Sequence, residues 1–493
     1  MLASLLLSKL CLAPDALAGD LSTQLPDIGK VGAAVLSPRE EQQLGKEFMR
    51  SVQQGLKLVN DPPSVAYLQG LADRLVGAIP ENTVPLTVFL VDDPAINAFA
   101  GPGGYIGIHT GLILNARSEA ELVSVLAHEI AHVTQRHLVR AFEANRRMNL
   151  PTMGAIIAAI ILGANNPQVG QAMLASSVAN NAQQQLTFSR SNEQEADNLG
   201  LELMVKAGYD PRAMVAFFEK LQNNQRLMES VAPEFMRTHP LTLGRIADAR
   251  NRAAQYPPGR QNDNTSFELL QARMQVMNEQ SHNTTTPSAL TTTTWSAEAR
   301  DYLRALEAAR KEDYPTARKI LNTLIRTSPH RVLYPFSAAQ VELADNQPQE
   351  AKRLLQQSLR VFPGNLALTE QLAETLLRLN QAEATQELLK TTLRKYPEHY
   401  RLYPLYAKAA NALGKKAEAY RALAEWQSSQ GNFYQAVDYL QQALDTPGLE
   451  PYDRLSLQAR QEMLKKEILA HEQAIAEQSS EQYKHNVFLT YSP

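Results

Sequence analysis

Apolar residues recur at helical spacing through most of the chain, from about residue 38 to 255 and again from about 298 to 470. Two shorter segments differ, VPLTVFLVDD (84–93) and GGYIGIHTGLI (103–113). In both, β-branched and alternating residues are bounded by proline and glycine, as is typical of strands. The pattern predicts a mainly α protein that begins with an α+β domain containing a small sheet.

The C-terminal part of the sequence repeats with a period of 34 residues. Small residues at this spacing let antiparallel helices pack closely, and a proline ends the second helix of each pair. The period predicts an α-solenoid of tetratricopeptide repeats, with a concave face suited to peptides or partner proteins. The positions that keep the period are Ala305, Ala339, Ala373 and Ala407; Leu321, Leu355, Leu389 and Leu423; and Pro329, Pro363 and Pro397, with Gly431 in the fourth place.

One predicted helix carries a metal-binding pattern. Ser118 and Glu121 have the spacing of a capping box that begins the helix, and the apolar residues after them predict that it is buried. His128 and His132 lie four residues apart and project from one face, where a single tetrahedral zinc ion can take both imidazoles. Glu129 stands close enough to activate a water molecule without being a ligand itself.

The third histidine of this stretch, His137, is set aside as a ligand. It lies nine residues from His128, half a turn round a continuous helix, and therefore cannot meet the same ion. The metzincin class is excluded, because Gln135 and Leu138 occupy positions where that class has glycine and histidine. We expect His137 to be a surface residue or to make a second contact behind the site.

The third ligand has to come from another segment, and FSRSNEQEADNLG (188–200) is the best source. Glu193 and Asp197 lie one turn apart on a common helical face. Glu193 can therefore ligate the metal, while Asp197 orients a ligand imidazole or works near the metal. Glu195 points about 200° away from Glu193 and is the less suitable ligand.

The N-terminus predicts export. Residues 1–18 resemble a signal peptide, with an apolar run followed by Ala16-x-Ala18, although the only early lysine, Lys9, lies inside that run. Residues 19–37 are punctuated by glycine and proline and form an N-terminal extension.

Between the two halves the composition changes. Residues 257–297 are rich in asparagine and glutamine and contain two threonine runs, which predicts a linker or mobile loop around one short helix, Phe267–Asn278. The predicted division of the chain is a signal peptide (1–18), an extension (19–37), a metal-binding domain (38–256), a linker (257–297), a repeat domain (298–470) and a tail (471–493).

Charge and hydropathy exclude some functions. The formal net charge is −3 and no basic block occurs, so nothing predicts nucleic-acid binding. The longest apolar segment, Met153–Ala164, is shorter than the roughly 18 residues needed to span a bilayer. It predicts a buried helix, and the alternative is an interfacial or lid segment.

Four segments together resemble the gluzincin peptidases of the HtpX and type I CAAX prenyl protease family. They are NAFAGPGGYIGIHTGLI, HEIAH, SRSNEQEAD and THPLTLGRI. With the signal-like N-terminus and the repeats, the chain as a whole resembles the BepA-like family of β-barrel assembly-enhancing proteases. The resemblance implies a gluzincin metallopeptidase domain followed by the solenoid.

The resemblance also assigns roles to residues. It implies one zinc ion per subunit, held by His128, His132 and Glu193. Glu129 would be the general base. The strand around 103–110 would be an edge along which substrate backbone pairs.

Three further residues receive roles from the resemblance alone. Asp197 would be an acidic residue that is sometimes assigned as a proton donor, and Arg245 would stabilise the oxyanion. His239 would approach the metal and occupy its open position in a resting state.

Function and partners follow from the same resemblance. It implies a periplasmic zinc metalloendopeptidase of a Gram-negative bacterium, with a chaperone-like role in outer-membrane protein assembly and in degradation of misassembled outer-membrane proteins. The repeats would dock onto outer-membrane β-barrel proteins and their assembly machinery, with unfolded or stalled polypeptides as substrates. Peripheral contact with the outer membrane is a further expectation.

The alternative is an adaptor or chaperone that acts mainly through its repeats, with a latent peptidase site. A membrane-embedded prenyl-protein protease is opposed by the lack of spanning segments.

Overall fold

The protein is described by a computed structural model that covers residues 37–79, 85–143, 189–227, 234–259, 263–282 and 294–490. The predicted signal peptide, nearly all of the N-terminal extension and the apolar segment Met153–Ala164 lie outside the described residues. The described part is mainly helical, with one small sheet and a series of stacked helix pairs. The predicted fold class is confirmed.

The N-terminal half alternates helices with three short strands. Helix α1 begins at a capping box formed by Ser37 and Glu40, and the next helix begins at the N-cap Asp61. The elements are α1 (Pro38–Gly55), α2 (Pro62–Val76), β1 (Thr87–Val91), β2 (Ala98–Ala100), β3 (Tyr105–His109), α3 (Thr110–Asn115), α4 (Glu119–Thr134), α5 (His137–Glu143), α6 (Arg190–Lys206), α7 (Arg212–Leu227), α8 (Glu234–Thr238) and α9 (Leu243–Ala253).

The sheet has the strand order β1-β3-β2, with β1 parallel and β2 antiparallel to β3. The prediction that the strand around 103–110 is an edge is therefore wrong, because β3 is paired on both sides over Ile106–Ile108. The edge next to the metal-binding helix is β2. Hydrogen bonds from His109 N–H to Asn97 O and from Gly101 N–H to Tyr105 O flank its pairing with β3. The backbone groups of Ala98 and Ala100 consequently face away from the sheet.

Helices α4 and α6 form the centre of this half. Ser118 caps α4 by accepting a hydrogen bond from Glu121 N–H, as predicted, while the Glu121 carboxylate accepts from Arg117 N–H. Nearly every residue of α4 is buried. A Cβ atom at Gly200 of α6 would lie 3.3 Å from His128 N, so glycine there lets the two helices approach closely.

The second half consists of helix pairs at the predicted period. All four alanines of the series (Ala305, Ala339, Ala373 and Ala407) are buried, and the prolines follow the ends of the second helices. The helices are α11 (Ala297–Arg310), α12 (Tyr314–Thr327), α13 (Leu333–Ala344), α14 (Pro348–Val361), α15 (Leu366–Arg378), α16 (Ala382–Lys395), α17 (Tyr403–Ala412), α18 (Lys416–Ser429), α19 (Phe433–Leu444) and α20 (Pro451–Thr490).

The segment between the halves contains a longer helix than predicted, α10 (Thr265–His282). One set of its side chains packs in the core of the first half, and another set packs in the core of the first repeats. Its Arg273 is fully buried and forms a bidentate ion pair with Asp61 of α2. This part of the predicted linker is therefore a shared core helix, because its apolar residues face two domains at once. The first set is Phe267, Leu270 and Met274, and the second is Leu269, Ala272 and Val276.

Among the described residues, no helix combines the length and the apolar character needed to cross a bilayer.

Candidate metal centre

Two histidines of α4 form the base of the site. His128 Nε2 and His132 Nε2 lie 3.0 Å apart, and both side chains are buried. Their spacing of four residues places them on one face of the helix, as predicted. Burial, followed by the nearby His128 and His239 charges, holds the pKa of His132 well below its ordinary value. A neutral imidazole is the form that ligates a metal.

Glu193 of α6 and His239, just after α8, complete a group of four potential ligands. His132 Nε2 is 3.5 Å from Glu193 Oε1, and His128 Nε2 is 3.6 Å from Glu193 Oε2. His239 Nδ1 lies 3.0 Å from Glu193 Oε1 and 3.3 Å from His128 Nε2. All four ligand atoms lie within 4.8 Å of one another.

These separations fit a tetrahedral metal ion. Ligands bound at about 2.0–2.1 Å in a tetrahedron are roughly 3.3–3.4 Å apart, and the distances above range from 3.0 to 3.6 Å. Three nitrogen donors and one carboxylate are a ligand set suited to zinc.

The outer nitrogen of each histidine on α4 is held by a neighbour. His128 Nδ1 lies 3.0 Å from Asp197 Oδ1, and His132 Nδ1 lies 2.9 Å from His137 Nδ1. His137 Nε2 in turn lies 3.0 Å from Glu195 Oε2. If His128 Nδ1 donates to Asp197, and His132 Nδ1 donates to His137 while His137 Nε2 donates to Glu195, then the Nε2 atoms of His128 and His132 are both unprotonated. Both Nε2 atoms then face the centre of the ligand group.

His137 is a second contact behind the site, one of the two alternatives predicted for it. It is fully buried, and burial lowers its pKa to about 4. The continuous helix assumed from the sequence does not exist, because α4 ends at Thr134 and Arg136 has a φ of 52°. The turn at Arg136 brings His137 back against His132.

Arg245 of α9 contacts two carboxylates of the site. Its Nε and Nη2 donate to the two oxygens of Asp197, both at 2.8 Å, and its Nη1 lies 2.7 Å from Glu193 Oε2. Nη1 also donates to the backbone oxygen of Pro240. In this structure the guanidinium is bound to two carboxylates and positions Glu193 and Asp197.

Asp197 is an orienting residue in this geometry. Burial would raise its pKa, but hydrogen bonds with Arg245 and His128 outweigh burial and lower it. Its contact with His128 Nδ1 is the one expected of a residue that orients a ligand imidazole.

Glu129 lies between α4 and the edge strand β2. Its carboxylate is fully buried, and His239 Nε2 lies 3.5 Å from its Oε1. Burial raises the pKa of Glu129, although the His239 and His128 charges and a hydrogen bond from the Ala100 backbone act in the opposite direction. A raised carboxyl pKa suits a group that accepts and returns a proton near neutral pH.

Comparison with known proteins agrees with this geometry. Residues 65–253 match the model of peptidase family M48, and residues 342–409 match a tetratricopeptide repeat model. The beta-barrel assembly-enhancing protease of Escherichia coli (strain K12) is 37% identical over 338 residues, which cover 67% of this chain and 69% of that protein. The chain belongs to the family of beta-barrel assembly-enhancing proteases.

Two further relatives match shorter parts of the chain. The putative beta-barrel assembly-enhancing protease of Vibrio cholerae is 40% identical over 268 residues, covering 54% of this chain and 55% of that one. The mitochondrial metalloendopeptidase OMA1 of Arabidopsis thaliana is 33% identical over 153 residues, covering 31% and 28%. The protein is therefore a metalloendopeptidase of family M48 whose activity depends on a metal ion.

The sequence predicts the four candidate ligands and an orienting role for Asp197, but not the support that His132 receives from His137. Glu195 is the less suitable ligand by helical geometry, and the structure places it on His137 and Arg140. The angular offset of Glu195 from Glu193 was the available signal that it points to another partner. Nothing in the spacing indicated that this partner is His137.

Proposed function

We propose that this chain is a zinc metalloendopeptidase of the periplasm that acts on outer-membrane β-barrel proteins during their assembly. The observation that carries the proposal is the buried group of three imidazoles and one carboxylate at tetrahedral separations, directly beside Glu129. His128, His132 and Glu193 would hold the ion, as the resemblance implied.

The chemistry is divided among the residues of the site. When bound, zinc would polarise the scissile carbonyl and make the attacking water more acidic. Glu129 takes the proton from that water and delivers it to the leaving amine. Asp197 and His137 fix the orientation of the two imidazoles, and Arg245 holds the carboxylates of Glu193 and Asp197 in place.

The edge of β2 is the place where a substrate backbone would pair. Its outward backbone groups belong to Ala98 and Ala100, and the Ala100 amide faces the Glu129 carboxylate. An extended polypeptide added at this edge would bring a peptide bond next to Glu129. An unfolded or stalled chain can adopt that extended form, which supports such polypeptides as substrates.

The repeats would supply the partners. They present stacked helix pairs of the kind that bind peptides and proteins, and the similar proteins carry β-barrel assembly in their names. We propose outer-membrane β-barrel proteins and their assembly machinery as partners, and the degradation of misassembled outer-membrane proteins as the result. The predicted signal peptide and the division at residues 38–256, 257–297 and 298–470 belong to this proposal.

Replacing Glu129 by Gln tests the proposed chemistry. The variant should keep its zinc, measured by metal analysis, and lose cleavage of an unfolded β-barrel substrate by about 10²–10⁴-fold, because the general base is absent. Glu202→Gln, on α6 but outside the site, is the matched control and should cleave at the wild-type rate. Retained cleavage by Glu129→Gln would refute the assignment of Glu129.

A second function, as an adaptor with a latent peptidase, is favoured by one observation. His239 fills the fourth position of the ligand group and stacks on Phe235 at a centroid distance of 4.8 Å. A fourth protein ligand closes the position that a catalytic zinc keeps open for water or substrate. For peptide hydrolysis, His239 would have to leave.

Two measurements separate these functions. His239→Ala should raise the cleavage rate roughly tenfold or more, if the open form is a minor population of the wild type, and its zinc content should equal that of wild type. An unchanged rate would argue against self-blocking. The Glu129→Gln protein should fail to support outer-membrane assembly if proteolysis is the main role, whereas full rescue would favour the adaptor.

A further inference from the structure

A second cluster of potential ligands lies at the C-terminal end of β3. Asp93 follows β1, His109 ends β3, and Glu234 begins α8. Because β1 and β3 are parallel, with Val91 paired to His109, their carboxyl ends meet at one edge of the sheet. One ligand atom from each of the three residues lies within 4.8 Å of the others, and His109 Nδ1 is 3.7 Å from Asp93 Oδ1.

His109 is the residue that sets this cluster apart from an ordinary acidic patch. Its side chain has 0% exposure, and neither ring nitrogen makes a hydrogen bond with any residue that the structure describes. The ring packs edge-on against Phe99 at a centroid distance of 5.9 Å. A buried imidazole normally has a partner for at least one nitrogen, so an unsatisfied His109 beside two carboxylates calls for a ligand.

The charges around the cluster also favour a cation. Burial, followed in the same direction by the nearby negative charge of Asp93, raises the pKa of Glu234, while His109, Arg237 and Asn97 act against these effects. Asp93 is partly exposed, with 23% of its side chain accessible, so an ion could enter from solvent. Asn97 is buried next to the cluster, and within the described part of the chain its Oδ1 has no hydrogen-bond partner.

We propose that Asp93, His109 and Glu234 form a second divalent transition-metal site, separate from the ligand group on α4 and α6. One imidazole with two carboxylates suits an ion of the zinc type, whereas calcium prefers oxygen ligands alone. The remaining positions would be taken by water, because the two carboxylates are the solvent-facing side of the cluster.

The site would join three segments that meet near the active site. Glu234 is the first residue of α8, which is followed directly by His239, and Phe235 N–H donates to Ile96 O in the loop after Asp93. A bound ion would therefore fix the start of the segment that carries His239. An ion at the second site would hold His239 in its position next to His128, His132 and Glu193.

Metal counting tests the proposal. Full-length protein dialysed to equilibrium against zinc should hold two ions per chain by plasma mass spectrometry, and dialysis against calcium should leave the second site unfilled. His109→Phe should lower the count to one, because the aromatic ring keeps its packing but loses both nitrogens. His330→Phe, at an exposed histidine in the repeat region, is the matched control and should keep two ions.

A second variant protects the test against misfolding. Glu234→Gln is isosteric and only partly buried, so it should fold and also bind one ion. In wild type, the second ion should slow amide hydrogen exchange over residues 234–239, and in both variants it should not. Saturation of wild type at one ion, or two ions retained by His109→Phe or Glu234→Gln, would overturn the proposal, as would loss of the second ion in His330→Phe.

Discussion

The two halves of the molecule bury different kinds of side chain. The interior around α4 and α6 contains imidazoles, carboxylates and a guanidinium, each in contact with at least one other of these groups. The repeats bury alanines and leucines at a fixed period, and their buried acids are paired with arginines nearer the surface, as Glu342 is with Arg318 and Glu370 with Arg401.

The difference shows where each half places its function. A cluster of buried ionisable groups costs free energy unless every member is paired, and such clusters occur at sites that need perturbed chemistry. The repeats avoid that cost, and their stability is a sum of terms from neighbouring repeats. In the first half, the buried ionisable groups that serve the chemistry lower the stability. In the second half, stability does not depend on such groups.

The largest effect on this difference between the halves is expected for Arg245→Met. Loss of the guanidinium leaves Asp197 and Glu193 buried without their main counter-ion, so the first half should lose about 3–5 kcal/mol of stability. Hydrogen exchange in peptides from α4 and α6 measures the loss. Arg250→Met, an exposed arginine on the same helix paired with Glu219, should change stability by less than about 0.5 kcal/mol. Equal effects of the two variants would contradict the role of Arg245.

In the repeats, Leu355→Ala should produce a comparable but local loss. Leu355 has 0% exposure, so the cavity should cost about 2–5 kcal/mol, with zinc content and cleavage rate unchanged. The two tryptophans, Trp295 and Trp426, lie next to or within the repeat helices, so fluorescence in a urea titration follows this half. Val361→Ala, exposed on the same helix, is the control. A parallel fall in cleavage would show that the halves are not separable.

The smallest of these effects is the pH-dependent part of the stability at the junction between the halves. Burial would raise the pKa of Asp61, but the charge and hydrogen bonds of Arg273 outweigh it and lower the pKa. A carboxylate with a folded pKa below its unfolded value of about 3.9 stabilises the protein above that pH, and the contribution is lost as pH falls through the folded pKa.

The comparison of wild type with Asp61→Asn isolates this contribution. Wild type should be more stable at neutral pH, and the difference should shrink below about pH 3.9 by ~1.4 kcal/mol for each unit of pKa lowering. Urea unfolding across pH measures it. Asp301→Asn, at an exposed carboxylate on α11, should stay within about 0.5 kcal/mol of wild type. A gap that is constant with pH would exclude the ion pair as its origin.

The sequence was informative where periodicity decides the structure. The helix that carries His128 and His132, and the repeats with Ala305 and Leu321 at their period, follow from local patterns that tertiary contacts do not alter. The grouping of Glu193 with the two histidines followed from chemistry, since paired imidazoles need a further ligand.

Features that depend on pairing or on one backbone angle could not be predicted. The central place of β3 depends on which strands pair with it, and strand composition does not reveal this. The position of His137 depends on the positive φ of Arg136. Arginine is not a residue type that indicates such a turn. The carboxylate contacts of Arg245 depend on the packing of α9 against α6.

The shared helix α10 has a consequence for biosynthesis. A ribosome makes the chain from its N-terminus, at about 5–20 residues per second, so α4, α6 and α9 emerge before α10. At that moment the interior of the first half still lacks Phe267, Leu270 and Met274. The peptidase half therefore completes its core only when the same helix also begins the core of the repeats. Completion of the peptidase core is thus tied to translation of α10, and a nascent chain that stops after α9 would lack part of that core.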